Sequence, residues 1–319
     1  MSVCSNEPDI ARSVYEAAAQ IPRGMVSTYG DIATALGDAV AARAVGEILS
    51  HNPTTPIVVP CHRVVYSTGR TGWYGGHGQG AERKVELLRA EGVRIEDGAV
   101  VDLGKIRFTD FRIEPVLRDL KEEQDRIRGL VIEEDRFGPL HRVAGLDISY
   151  SDERAFGAMA VYDWTTGEML EERTAESAVR FPYIPTYLSY REIPALRPLI
   201  DRSDDLIYLI DGQGVLHPRG AGIASHIGVC FDVPTIGAAK SLLVGQVQET
   251  EAERSPILLD GQVRGCRLGS GKKATYVSVG HRVSRDTAVS VCGRFLQKGI
   301  PLPLRRAHDL ATTFRRSSE

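Results

Sequence analysis

The sequence predicts an α/β protein of two domains, a small helical one followed by a larger mixed one, with the boundary near residue 113. Three observations carry this. A chain of 319 residues is long enough for about two domains that each bury a core. Its N-terminal part shows helical periodicity punctuated by turn residues. From residue 116 onward a charged helical stretch gives way to β-branched and apolar runs.

In chain order, residues 9–21 place Ile10, Val14, Ala17, Ala18 and Ile21 at helical spacing, and Pro22-Arg23-Gly24 ends the segment. Residues 31–36 and 39–50, on either side of Gly37, predict two short helices joined by a tight turn. A helix-turn-helix is the natural reading, with Arg43 on its second helix. Residues 52–60 are proline-rich and end in Ile57-Val58-Val59, a stiff approach to Cys61-His62-Arg63. Residues 69–80 form a glycine-rich loop, after which 82–90 resume helical periodicity through Val85, Leu87 and Leu88. The second domain is expected to open with a helix over 116–134. Residues 143–148, 158–162 and 206–211 then predict strands, and helical patterns after the later ones make a mixed sheet the expectation.

The apolar fraction of 42% and charged fraction of 25% are those of a soluble globular chain and exclude disordered and collagen-like classes. A formal charge of −3 does not mark a nucleic-acid binder, so any contact with phosphates must be local. Basic candidates lie at residues 63–70, at Lys272-Lys273 and at Arg305-Arg306. The five cysteines are scattered, without a CxxC pair, and fit neither a disulfide framework nor a zinc ribbon. With no signal peptide and no apolar run of about 20 residues, a cytoplasmic protein is expected, without membrane or obligate protein partner.

A thiol is a useful nucleophile only as thiolate, which calls for a neighbouring base or positive charge. Pro60-Cys61-His62-Arg63-Val64 supplies both within one short segment. Together with STYGDIA (27–33), RAVGEIL (43–49), HNP (51–53) and KVELLRAEG (84–92), it resembles the active-site domain of the O6-alkylguanine-DNA alkyltransferases. The similarity covers about residues 8–108. It implies a small winged helix-turn-helix-like domain in which Cys61 takes the alkyl group irreversibly from O6 of guanine in double-stranded DNA. His62, oriented by Glu91, would remove the thiol proton through a water. Arg43 would fill the gap left by the extruded base, and Tyr29 would turn the target phosphate. Tyr74 would line the pocket and Asn52 would brace the active-site turn. The loop after Tyr74 is a few residues longer than the family's.

Hydrolysing a phosphodiester at neutral pH calls for a metal, and hard Mg²⁺ prefers carboxylate oxygens. Asp147 and Asp211 each end an apolar run, and Glu192 is a third candidate. VAGLDISY (143–150), FPYIP (181–185), YREIPAL (190–196), the string from Asp211 through His217 to His226, PTIGAAKS (234–241) and RRAHDL (305–310) together resemble endonuclease V. This similarity covers about residues 114–312 and implies a ribonuclease H-like fold. Asp147 and Asp211 would bind Mg²⁺, with Mn²⁺ an alternative, and Glu192 would complete the acidic cluster. His308 would assist near the attacking water, and Lys240 would hold the scissile phosphate. His217 and His226 are weaker candidates. Tyr183 would wedge the strands apart, and the extruded hypoxanthine would lie near Leu188, Gly222 and Ile223. Thr186 stands where that family usually has glycine.

The expectation is therefore a bifunctional repair enzyme, residues 1–112 transferring alkyl groups and 113–319 nicking DNA at the second phosphodiester 3′ of deoxyinosine. The alternative is a damage-binding module fused to a nuclease acting on inosine-containing DNA or RNA.

Overall fold

The computed structural model describes residues 8–52, 59–73, 80–151, 153–250 and 253–319. Tyr74, the loop that follows it and most of the proline-rich approach to Cys61 lie outside the described residues. Two compact units result, one of residues 8–121 with Phe181–Pro185, the other of residues 122–180 and 186–319.

The first unit opens with helix α1 (Ile10–Ala19), whose first turn is capped by Asp9 accepting from the Arg12 amide at 2.9 Å. Strand β1 (Ser27–Thr28) leads straight into α2 (Tyr29–Ala35). The junction is a capping box: Thr28 Oγ1 accepts from the Asp31 amide, and Asp31 accepts from the Thr28 amide. The second helix of the expected helix-turn-helix does not run whole from residue 39. It starts as a 3₁₀ turn, Ala39–Ala41, capped by Asp38, and becomes α-helical as α3 (Ala42–Ser50). Strand β2 (Val64–Val65) pairs parallel with β1. Helix α4 (Gly80–Ala90) follows, then the short hairpin β3 (Ile95–Glu96) and β4 (Ala99–Val100), and α5 (Leu103–Ile106). Val26, Val65, Leu88, Val93, Ile95 and Val100 close one small core.

Helix α6 (Val116–Leu130) is four residues shorter at its C-terminus than the charge pattern predicts. The second unit is built on a nine-stranded mixed sheet. Strands β5 (Arg142–Ser151), β6 (Arg154–Asp163) and β7 (Met169–Ala178) form an antiparallel meander. Helix α7 (Leu188–Leu196) precedes β8 (Leu206–Ile210), which returns parallel to β5; α8 (Ile223–Phe231) then leads to β9 (Thr235–Ala239), parallel to β8. Strands β10 (Gln246–Val247), β11 (Arg254–Leu259), β12 (Gln262–Leu268) and β13 (Thr275–His281) complete the sheet antiparallel. The expected strands at 143–148 and 158–162 are thus the middles of longer ones.

Helices cover both faces of the centre. Tyr208, Ile210, Ile223 and Ile227 belong to the core on the α8 side, whereas Ile207, Leu209, Val291 and Phe295 belong to the core under α9 (Arg285–Phe295). Residues of β8 are buried on both sides, as a parallel strand between helical layers must be. The last helix, α10 (Leu302–Ser318), packs on β5 and β6. Cys61, Cys266 and Cys292 are free and buried, but Cys230 is disulfide-bonded, which corrects the reading of the cysteines as unpaired.

Gly145 lets α10 reach β5. A Cβ there would stand 2.2 Å from the Pro303 carbonyl carbon and 2.5 Å from the Leu304 nitrogen, both backbone atoms that cannot rotate aside. Gly145→Ala is expected to destabilise the second unit by about 1–3 kcal/mol. Urea unfolding followed by circular dichroism measures this, and an unchanged midpoint would mean that α10 can shift away from the sheet.

Candidate functional site

Cys61 lies 8% exposed at the start of a 3₁₀ turn, Cys61–Arg63. Asn52 braces the turn: its Nδ2 donates to the Val59 carbonyl at 3.0 Å and to the Cys61 sulfur at 3.3 Å. His62 Nε2 meets Glu91 Oε1 at 2.9 Å. Arg63 forks onto the same carboxylate, Nε to Oε2 at 2.8 Å and Nη2 to Oε1 at 2.7 Å, and its Nη1 donates to the Ile21 carbonyl. Burial would raise the Glu91 carboxyl, but the bonds from Arg63, His62 and the Gly24 amide outweigh it and hold it at about 2. The His62 imidazolium is disfavoured by burial, which Glu91 only partly offsets, so its pKa falls below the usual value. A neutral imidazole oriented by an ionised carboxylate is the form that accepts a proton.

Behind the thiol stands a group that sequence reasoning missed. Lys84 on α4 is 1% exposed, with its Nζ 3.4 Å from the Tyr29 hydroxyl and 5.6 Å from that ring's centre. Burial lowers its pKa to about 8, against the pull of Cys61. Burial, with Tyr66 and Cys61 nearby, lifts the Tyr29 phenol to about 12, so that hydroxyl keeps its proton and can donate. The readable signal was spacing, since Lys84 lies four residues before Leu88 on the buried face of α4. Arg43 points outward from α3 and is exposed.

In the second unit Asp147, Asp211, Lys240 and His308 line one cavity of about 90 Å³. Lys240 Nζ donates to Asp211 Oδ2 at 2.5 Å, and His308 Nδ1 lies 2.8 Å from Asp147 Oδ2. Burial and the neighbouring Asp211 raise the Asp147 pKa. Glu192, on α7, does not line that cavity; it accepts from the Tyr150 hydroxyl at 3.1 Å. Its pKa rises to about 8, mainly through burial and further through Asp147 and Asp211, despite the Tyr150 bond. Burial opposes the Lys240 ammonium, but the charges of Asp211, Asp147 and Glu192 prevail and raise its pKa. As they stand, the described residues hold no three acidic, histidine or cysteine groups arranged to enclose an ion. Lys240 is seated on one carboxylate and Tyr150 on another. The chemistry of the two cavity acids nevertheless suits a hard divalent cation: Asp147 and Asp211 offer carboxylate oxygens side by side, and burial together with the charge of Asp211 pushes Asp147 toward protonation.

His217 and His226 are buried and do not line this cavity. His226 Nε2 lies 3.5 Å from Glu123 Oε1, and burial with Arg219 nearby holds His217 at about 4. Tyr183, in the segment Phe181–Pro185 that belongs to the first unit, is 55% exposed, while Phe181 and Ile184 beside it are buried.

The family model for endonuclease V matches residues 125–309, and that for the 6-O-methylguanine DNA methyltransferase DNA-binding domain matches residues 9–93. A bifunctional methyltransferase/endonuclease of Picrophilus torridus is 36% identical over 310 residues, 97% of this chain and 98% of that protein. The chain belongs to the bifunctional methyltransferase/endonuclease family. The endonuclease V part of this bifunctional methyltransferase/endonuclease also has solved counterparts. Endonuclease V of Streptomyces avermitilis superposes with a TM-score of 0.58 at 35% identity, over 63% of this chain and 93% of its own. That of Ciona intestinalis, solved with a 24mer DNA containing an inosine followed by a ribo-adenosine, gives a TM-score of 0.57 at 26% identity over 64% of this chain and 99% of its own.

Glu91 ties pH to the stability of the methyltransferase part. An acid whose pKa is depressed in the folded state stabilises it above the unfolded value, near 4.3, and that stability is lost as pH falls toward the folded value of about 2. Glu91→Gln is therefore expected to be less stable than wild type at pH 7, with the gap closing between about pH 5 and pH 2. Denaturant unfolding across that range checks it, and a gap independent of pH would refute the ionised-carboxylate account.

Proposed function

We propose that this protein repairs DNA by two separate chemistries, alkyl transfer to Cys61 within residues 1–112 and metal-dependent nicking beside deoxyinosine within residues 113–319. The observation that carries the reading is a buried Cys61 followed by a His62 bonded to Glu91 in one unit, and Asp147 and Asp211 lining one cavity with Lys240 and His308 in the other.

For alkyl transfer, the Cys61 sulfur forms a bond to the alkyl carbon while the carbon–O6 bond breaks and its electron pair returns to the guanine. His62, held at Nε2 by Glu91, would take the thiol proton through a water at its other nitrogen, and that proton, passed on through solvent, would neutralise the guanine anion left by the transfer. Tyr29 would meet the phosphate of the extruded nucleotide and Arg43 would occupy the vacated stack, while Asn52, bonded to the sulfur, would hold its turn. Tyr74 belongs to the same proposed pocket.

For nicking, Asp147 and Asp211 would hold Mg²⁺ or Mn²⁺, with Glu192 completing the set. The ion supplies positive charge that polarises the phosphoryl oxygens and acidifies the attacking water. Lys240 offers a point charge to the scissile phosphate, and His308, steadied by Asp147, holds a proton near the attacking water. Tyr183 would separate the strands, leaving hypoxanthine against Leu188, Gly222 and Ile223, and the cut would fall at the second phosphodiester on the 3′ side. Inosine-containing RNA is a second candidate substrate, because the Ciona complex carries a ribonucleotide after its inosine.

Incubation with an O6-benzylguanine probe and with a deoxyinosine duplex tests both halves. Cys61→Ala should abolish covalent labelling and leave nicking intact. Asp211→Ala should lower nicking by about 100-fold or more and leave labelling intact. A chelator should stop nicking alone. Loss of both activities from either substitution in a folded protein would overturn the independence of the two sites.

A further inference from the structure

Thr186 has a φ of +70°, in the left-handed region that β-branched residues rarely enter. Such backbone persists only where its surroundings over-determine it. Here Arg219 Nη2 donates to the Thr186 carbonyl at 3.0 Å and to its hydroxyl at 2.7 Å, and Gln124 Nε2 donates to the same carbonyl at 2.9 Å. Arg219 Nε also donates to Gln124 Oε1, and its guanidinium lies 4.5 Å over the Tyr187 ring. Gln124 is 1% exposed on α6, so the far end of this clamp is anchored.

The two clamped segments adjoin those read above as the walls of the base pocket. Thr186 stands two residues before Leu188, and Arg219 three residues before Gly222. Within its own turn Arg219 is fixed by its amide donating to His217 Nδ1 at 3.2 Å and by the Gly220 amide donating to the His217 carbonyl at 2.7 Å. We propose that the Arg219–Thr186–Gln124 clamp determines base specificity, by holding the Leu188 segment and the Gly222–Ile223 segment at one fixed separation. The proposal rests on the reading of Leu188, Gly222 and Ile223 as the walls of the base pocket. Arg219 is a positioning residue in it and touches no substrate.

Threonine makes the arginine matter. Glycine adopts φ +70° without help, whereas threonine at that φ depends on its partners, and Arg219, alone among the described residues, bonds both its carbonyl and its hydroxyl. Lysine cannot replace a planar fork that bonds carbonyl, hydroxyl and amide together.

Steady-state nicking of duplexes carrying hypoxanthine or uracil, by wild type, Arg219→Ala, Arg219→Lys, Thr186→Gly and the Thr186→Gly pairs with each arginine variant, decides the matter. Arg219→Ala and Arg219→Lys are expected to raise KM for the hypoxanthine duplex by about tenfold, with kcat within about threefold, and to narrow the preference over uracil. In the Thr186→Gly background the same changes should raise KM by less than about threefold. Should Arg219→Ala not fold, Arg219→Lys carries the same comparison. Equal losses in both backgrounds would overturn the clamp alone. Failure of wild type to nick or bind the hypoxanthine duplex, with Cys61 labelling intact, would overturn the pocket reading and the clamp with it.

Discussion

The nuclease half depends on one register. Strands β5 and β8 are parallel neighbours with Leu146 opposite Ile210, so Asp147 and Asp211, each the next residue, emerge side by side from the same end of the sheet. The Asp211 amide still donates to the Leu146 carbonyl at 3.3 Å, which ties the end of one strand to the other. Nothing about either acid alone favours this proximity, and burial with like charge raises the pKa of Asp147. The cost is borne by the apolar strands behind them, whose side chains are buried on both faces. Everything else at the site answers that crowding. Lys240 follows β9, the next parallel strand, and meets Asp211; His308 arrives on α10, admitted to β5 by Gly145, and meets Asp147. Gly214 serves the same end, because a Cβ there would stand 1.9 Å from the Val279 carbonyl and push the loop after Asp211 off β13.

The alkyltransferase half solves the opposite problem. Its charges are paired at short range, with His62 and Arg63 from one turn converging on Glu91. A network with every member satisfied is rigid, and rigidity is what a single transfer to a fixed sulfur needs. Lys84 is the exception, a buried amine whose pKa falls to about 8 for lack of solvent. Its position beside Tyr29 brings a buried cation near the thiol, whose pull offsets the burial only in part. At the nuclease cavity, by contrast, two acids are forced side by side.

Much of this was legible because the informative residues are local. Cys61, His62 and Arg63 are consecutive, and Asp147 and Asp211 each close an apolar run. Glycines and prolines marked the turns between elements. What escaped is long-range or breaks a composition rule. Lys84 escaped because lysine is read as a surface residue, though its spacing to Leu88 gave it away. Strand β7 escaped because MLEERTAESA looks like a polar helix. It is an edge strand rich in charge, with Glu171 and Glu176 exposed and Glu172 and Arg173 half-buried in ion pairs with Arg306 and Asp201, a composition that protects an edge from further pairing. The 3₁₀ start of α3 turned on Asp38 capping the Val40 amide, a detail finer than periodicity resolves. Thr186 was visible as a departure from glycine, but its partner Arg219 lies 33 residues away, and only the fold joins them.

A chain of formal charge −3 gains no long-range attraction to a polyanion. Any contact with phosphate must then be local, and Arg43 on α3 in one unit and Lys240 beside the carboxylates in the other are exposed cations available for it. Neither is a broad basic face. With 39 lysines and arginines balanced by 42 acids, the proposed repair function would draw its discrimination from contacts that form only when a base leaves the stack. In that proposal the demand would fall on Tyr29, Tyr183 and the segments around Thr186 and Gly222. A pocket of that kind would have to be rigid, and the strained threonine backbone is indeed held by an arginine and a glutamine at once, with the arginine stacked on a tyrosine ring.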